Sequence, residues 1–260
     1  MSNSNPEHDE LAGTEQPFVA HLIELRDRLV KAALSVVVVA LVLGIYPGPS
    51  ALYDWLAAPL VAHLPKGATM IATSVISPFM VPLKVLLMTA FMIALPAVLY
   101  QVWAFVAPGL YSHEKRLVLP LVVSSTILFF VGVAFCYYFV FGRVFAFIQS
   151  FAPASITASP DIEAYLSFVL NMFLAFGLAF EVPVVVVLLA RMGVFSIEKL
   201  REFRGYFVVL AFIIAAIVTP PDVVSQLALA IPMVGLYELG IWAAQLFIRH
   251  TRRSDDLPER

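Results

Sequence analysis

The feature that most constrains this chain is a succession of apolar runs too long and too continuous for a water-soluble domain. Six are marked, at residues 29–46, 77–107, 117–141, 162–190, 205–218 and 223–248. Lipid offers the backbone no hydrogen-bond partners, so a spanning segment is a helix or a strand of a closed barrel. These runs exceed the roughly ten residues of a barrel strand. The expected fold is therefore all-α, a polytopic membrane protein with six crossings. Composition agrees: 61% of residues are hydrophobic and 13% charged, against about 25% charged in a typical soluble domain.

Each run has a local cause for its end. Pro47, Gly48 and Pro49 close the first, and residues 52–64 read as an interfacial stretch anchored by Tyr53 and Trp55. Pro108 and Gly109 close the second, Ser112 is the expected N-cap of the third, and Arg191 and Gly193 stop the fourth. Only Thr219, Pro220, Pro221 and Asp222 separate the fifth run from the sixth, so those two form an antiparallel hairpin. At 1.5 Å per residue the fifth is about 21 Å long, short of the ~30 Å hydrocarbon core, which makes helices five and six a thin wall. The expected organisation is a polar tail over residues 1–20, disordered through Met1 to Gln16, a membrane domain over 21–249, and a second tail over 250–260.

Charge sets the orientation. With the N-terminus in the cytoplasm, thirteen of the sixteen Lys and Arg fall inside, leaving out only Lys66, Arg143 and Lys84, the last placed to snorkel outward. Both termini are thus expected on the cytoplasmic side. The net charge of -2 points to no nucleic-acid partner. Cys136, the single cysteine, has no disulfide or metal partner of its own kind. No phosphate-binding loop, His-Glu-x-x-His or Gly-x-Ser-x-Gly pattern occurs, so neither a cofactor, a metal nor catalysis is expected.

An ionised group at the centre of a membrane helix costs roughly 2.5 to 3.5 kcal/mol, so carboxylates within runs call for explanation. Glu181, ten residues before Arg191, lies about 15 Å from the inner boundary, and Glu238, eleven before Arg249, is similarly placed. Each reads as a protonated carboxyl bonded between helices or as a functional group, and the pair motivates one reading of the chain as a proton-coupled solute carrier. Pro183 frees a backbone carbonyl near Glu181 and weakens the helix there. At the inner face, Glu24 is spaced for an i,i+4 pair with Arg28, and Glu114 is placed to complement a helix dipole.

Several segments carry a resemblance when taken together. His21-Leu22-Ile23-Glu24-Leu25-Arg26-Asp27-Arg28-Leu29, Ser77-Pro78-Phe79, Tyr100-Gln101-Val102-Trp103-Ala104-Phe105-Val106-Ala107-Pro108-Gly109-Leu110, the stretch from Ala175 to Pro183, and Thr219-Pro220-Pro221-Asp222 recur in order over nearly the whole chain. They resemble the TatC family, the large subunit of the twin-arginine protein translocase. The resemblance implies a cup-like bundle of six helices in the inner membrane of the cell. It would act as a receptor that binds twin-arginine signal peptides at the cytoplasmic face and exports folded proteins using the proton motive force.

It further implies that Glu24 and Glu114 contact the two arginines, with Phe105 and Leu110 giving apolar contact beside them. Guanidinium presents a planar fork that a carboxylate matches and a lysine does not reproduce. Glu181 would lie in the cavity entered by the apolar core of the signal. Thr219 and Gln226 would meet the single-span partners TatA and TatB, and Pro59 and Asp222 match outer-face positions that matter to function. Other copies of the chain and membrane lipid complete the expected partners.

Overall fold

The computed structural model describes residues 9–61, 71–106, 118–150, 161–219 and 222–255. Apart from an isolated bridge between Ile71 and Asp161, the regular structure there is helical. Helix α1 is Asp9–Ile45, α2 Pro49–Val61, α3 Ser77–Val106 and α4 Val118–Phe135, which continues through a π-helical turn, Cys136–Val140, into α5, Phe141–Ser150. Then come α6 (Ile162–Ala179), α7 (Val182–Arg191), α8 (Ile197–Glu202), α9 (Arg204–Val218) and α10 (Val223–Asp255).

Among the described residues, five stretches are long and apolar enough to cross a membrane: Val19–Ile45, Ser77–Val106, Leu119–Val144, Ile162–Arg191 and Val223–Leu246. The expected fifth run is α9, and its 15 residues rise about 22 Å. It falls short of that measure, as its sequence length implies.

The expected boundaries need three corrections. Helix α1 starts at Asp9, inside the stretch read as a disordered tail, because Glu10, Leu11, Ala12, Glu15 and Gln16 are good helix formers although polar overall. Helix α10 runs on to Asp255, past residue 248, since nothing in His250 to Asp255 breaks a helix. The fourth run is not one helix. Phe180 and Glu181 form a turn between α6 and α7, where Glu181 N–H donates to the Leu178 carbonyl at 3.1 Å. Pro183 has no N–H for the Ala179 carbonyl, so the ladder is interrupted at this point.

Packing follows the chain. Helix α1 lies along α3, α3 packs on α2 and α4, α4 on α6, and α10 on α7 and α9. The main core joins Phe176, Met172 and Val144 with Leu229, Ile241 and Ala211, all buried. Glycines permit the closest approaches: a Cβ on Gly132 would lie 2.5 Å from the Phe176 carbonyl oxygen, and one on Gly177 would lie 2.4 Å from the Phe129 ring. Helix α1 stands apart from this core, with Leu34, Leu41 and Val42 exposed along its length.

Candidate functional site

The N-terminal part of α1 and the C-terminal end of α3 meet. His21 stacks on Phe105 with ring centroids 4.4 Å apart and planes 21° from parallel. Glu24, three residues on from His21 and so on the same helix face, accepts from Arg28 Nε at 2.9 Å and Nη2 at 2.6 Å, both on Oε1. This is the i,i+4 pair its spacing implies. Of the residues expected to receive a signal peptide, Glu24 and Phe105 are thus brought to one end of the bundle. Leu110 and Glu114 lie outside the described residues, as does Ser112. Pro59 falls within α2, but its side chain is outside the described set.

Glu181 sits at the break between α6 and α7 and is 8% exposed. Neither carboxyl oxygen has a hydrogen bond of good geometry among the described residues. The Ser125 hydroxyl on α4 faces it, and that same oxygen accepts from the Trp103 indole Nε1 of α3 at 3.0 Å. Trp103, Val122, Val184 and Leu188 form an apolar cluster next to this point. A groove of about 540 Å³ runs between α6, α9 and α10, lined by Ala179 and Val182 on either side of Glu181 in sequence, together with Leu178, Ile217 and Met233. Glu181 is not among the residues that line it, and its carboxyl is near Ser125 of α4.

Glu238 does not stand alone. Arg204 binds it at two points, Nε to Oε1 at 2.6 Å and Nη2 to Oε2 at 2.7 Å. Arg204 opens α9, so this end of the short helix is level with Glu238. The solute-carrier reading loses one of its two carboxylates here. Lys84, expected to snorkel outward, reaches back toward the start of α3 and donates to Glu163 at 2.7 Å, whose other oxygen accepts from Ser77 Oγ at 2.6 Å.

Asp161 caps α6, accepting from the backbone N–H groups of Glu163 and Ala164 and from Thr73 Oγ1 at 2.6 Å. The Thr73 hydroxyl first, then the backbone donors, hold this carboxyl down at about 2. These ties join partners distant in sequence, and no spacing rule could have found them.

In the hairpin, the Thr219 hydroxyl donates to the Ala215 carbonyl at 2.8 Å and the residue is 5% exposed. Gln226 reaches the Phe212 carbonyl at 3.4 Å, bridging α10 to α9. Asp222 caps α10 by accepting from Ser225 N–H at 2.7 Å. Thr219, Gln226 and Asp222 all therefore shape the hairpin itself.

Polar side chains here tie helices to one another or sit alone in a broken span, and no group of three metal-ligating side chains occurs among the described residues. That build defines a multi-pass α-helical membrane protein. Residues 20–232 match the family model described as Sec-independent protein translocase protein (TatC). The TatC protein of Halothiobacillus neapolitanus is 52% identical over 89% of this chain and 63% of its own length. That of Escherichia coli O6:H1 is 48% identical over 93% of each. A crystal structure described as the twin arginine translocase receptor TatC superposes with a TM-score of 0.75 at 37% identity, covering 87% of this chain and 98% of the other. The chain belongs to the TatC family and is a protein-transport subunit, not an enzyme.

Proposed function

We propose that this chain is the receptor of a twin-arginine translocase, with six crossings, both termini in the cytoplasm and the signal peptide received where α1 meets α3. The observation that carries the reading is the pairing of Glu24 with Arg28: a guanidinium already lies on this carboxylate through two nitrogens. The incoming signal arginine would take over that carboxylate or share it through Oε2, while Phe105 offers apolar contact close by and Glu114 and Leu110 complete the site. The thirteen-of-sixteen inside bias of Lys and Arg supports the orientation. A receptor for cargo made in the cytoplasm needs its site on that side.

We also propose that single-span subunits of the TatA and TatB kind dock along α9 and α10, with Thr219 and Gln226 at the polar part of the contact. The exposed Ile213 and Ile217 on α9 support an apolar partner surface. Export of folded cargo would draw on the proton motive force, with Glu181 in contact with the signal's apolar core and Pro59 and Asp222 shaping the outer face.

The test is crosslinking of a twin-arginine signal peptide to membranes carrying Glu24→Ala, Glu114→Ala or both. Each single change should weaken capture, and the double variant should abolish it. Unchanged crosslinking in the double variant overturns the site assignment.

A further inference from the structure

We propose that His21 is a positioning residue of the signal-peptide site, its imidazole holding the Phe105 ring beside Glu24 so that the site reads an arginine and the apolar residue next to it together. This rests on the role of Glu24 and Phe105 proposed above. His21 is exposed and Phe105 half-buried, so the stack between them lies at the surface and does not belong to the packed core. Helix α1 contributes no buried residue in its most apolar stretch, and it is held chiefly along α3. That long α1–α3 pairing sets where Glu24 stands against α3, and the His21–Phe105 stack at 4.4 Å lies one turn from Glu24.

The ring pair fixes the rotamer of Phe105, which otherwise is free to turn toward lipid or solvent, while the α1–α3 packing holds the register of the two helices. With the stack removed, Glu24 remains on its helix and still binds guanidinium. The apolar half of the recognition is what is lost. An aromatic pair of this kind corresponds to roughly a 2- to 10-fold change in an equilibrium constant.

The experiment uses the full chain in nanodiscs and three labelled synthetic signal peptides: Arg-Arg followed by Leu, Arg-Arg followed by Ala, and Lys-Lys followed by Leu. His21→Ala should weaken the Arg-Arg-Leu peptide about 2- to 10-fold and leave the Arg-Arg-Ala peptide unchanged, and His21→Phe should restore binding. Glu24→Gln should weaken both Arg-Arg peptides and abolish their advantage over Lys-Lys. If His21→Ala weakens both Arg-Arg peptides equally, or neither, while Glu24→Gln weakens both, then His21 is only helix packing or plays no part, and the receptor reading stands without it. If Glu24→Gln changes nothing, the site reading fails and this inference fails with it. Thermal midpoints of the variants separate a loss of fold from a loss of recognition.

Discussion

Arg204 and Glu238 meet side by side through two hydrogen-bonded contacts of 2.6 and 2.7 Å, joining the first residue of α9 to the middle of α10. The adjoining residue, Tyr237, donates its hydroxyl to the Leu200 carbonyl at 2.7 Å, so α8, α9 and α10 are tied near one level. Both charged side chains are partly exposed, which limits the value of the pair to about 1 kcal/mol or less. Glu238→Gln should lower the thermal midpoint in detergent by a few degrees. Arg204→Lys should recover part of that loss but not all, since an ammonium cannot make the two-point contact. A charge swap at both positions should restore more than either single change. A midpoint that does not move in any of the three would show that the hairpin is held by its apolar contacts alone.

Close glycine contacts predict a graded series. At Gly132 a methyl group meets the Phe176 carbonyl oxygen at 2.5 Å, and backbone cannot step aside. At Gly177 it meets the Phe129 ring at 2.4 Å, and that ring is buried but is still a side chain. At Gly142 nothing lies within 4 Å. Gly132→Ala should therefore cost the most, on the order of 1 to 3 kcal/mol for an overpacked contact. Gly177→Ala should cost less, and Gly142→Ala nothing measurable. Unfolding midpoints of the purified variants give the order directly, and an equal effect at Gly132 and Gly142 would contradict the packing of α4 on α6.

How much of this was legible follows from the range of each interaction. Long apolar runs state their own helices, and Pro183 announced the weakening at Glu181 because its effect is local to its own turn. Glu24 and Arg28 announced their pair for the same reason, being four apart on one helix. By contrast, Arg204 and Glu238 are 34 residues apart, and Lys84 and Glu163 are 79 apart. Whether such charges meet depends on helix lengths and tilts that hydropathy does not specify. The start of α1 is hard to read for another reason: over Glu10 to Gln16 low hydropathy and good helix propensity point in opposite directions.

Asp161 gives a prediction in pH. Its carboxyl is held at about 2, below the ordinary 3.8, chiefly by the Thr73 hydroxyl. A depressed folded value means the group stabilises the folded form above about pH 4, and that contribution is lost as pH falls toward 2. The contacts it supports include the Ile162 N–H bond to the Ile71 carbonyl at 2.9 Å. Hydrogen exchange at Ile162 should therefore accelerate between pH 4 and 2 beyond the intrinsic rate. Asp161→Asn should show fast exchange already at pH 6 and no further acid step. Equal protection in both proteins at pH 6 would mean that the carboxylate does not hold the segment around Ile71 against α6.

Glu181 sets stability against function. Its two oxygens are buried without a hydrogen bond of good geometry among the described residues, and a buried polar group left unpaired costs about 1 to 3 kcal/mol. Glu181→Leu removes that cost while filling similar space beside Trp103 and Val184, so it should leave the thermal midpoint unchanged or raise it. Glu181→Lys, with a longer chain and a charge, should prevent stable folding. A destabilising group at the break of a span is retained by selection only if something uses it, so Glu181→Leu should fold well and yet export folded twin-arginine cargo poorly. Export by Glu181→Leu at the parental rate would separate the carboxyl from transport and leave the α6–α7 break, set by Pro183, as the feature to test next.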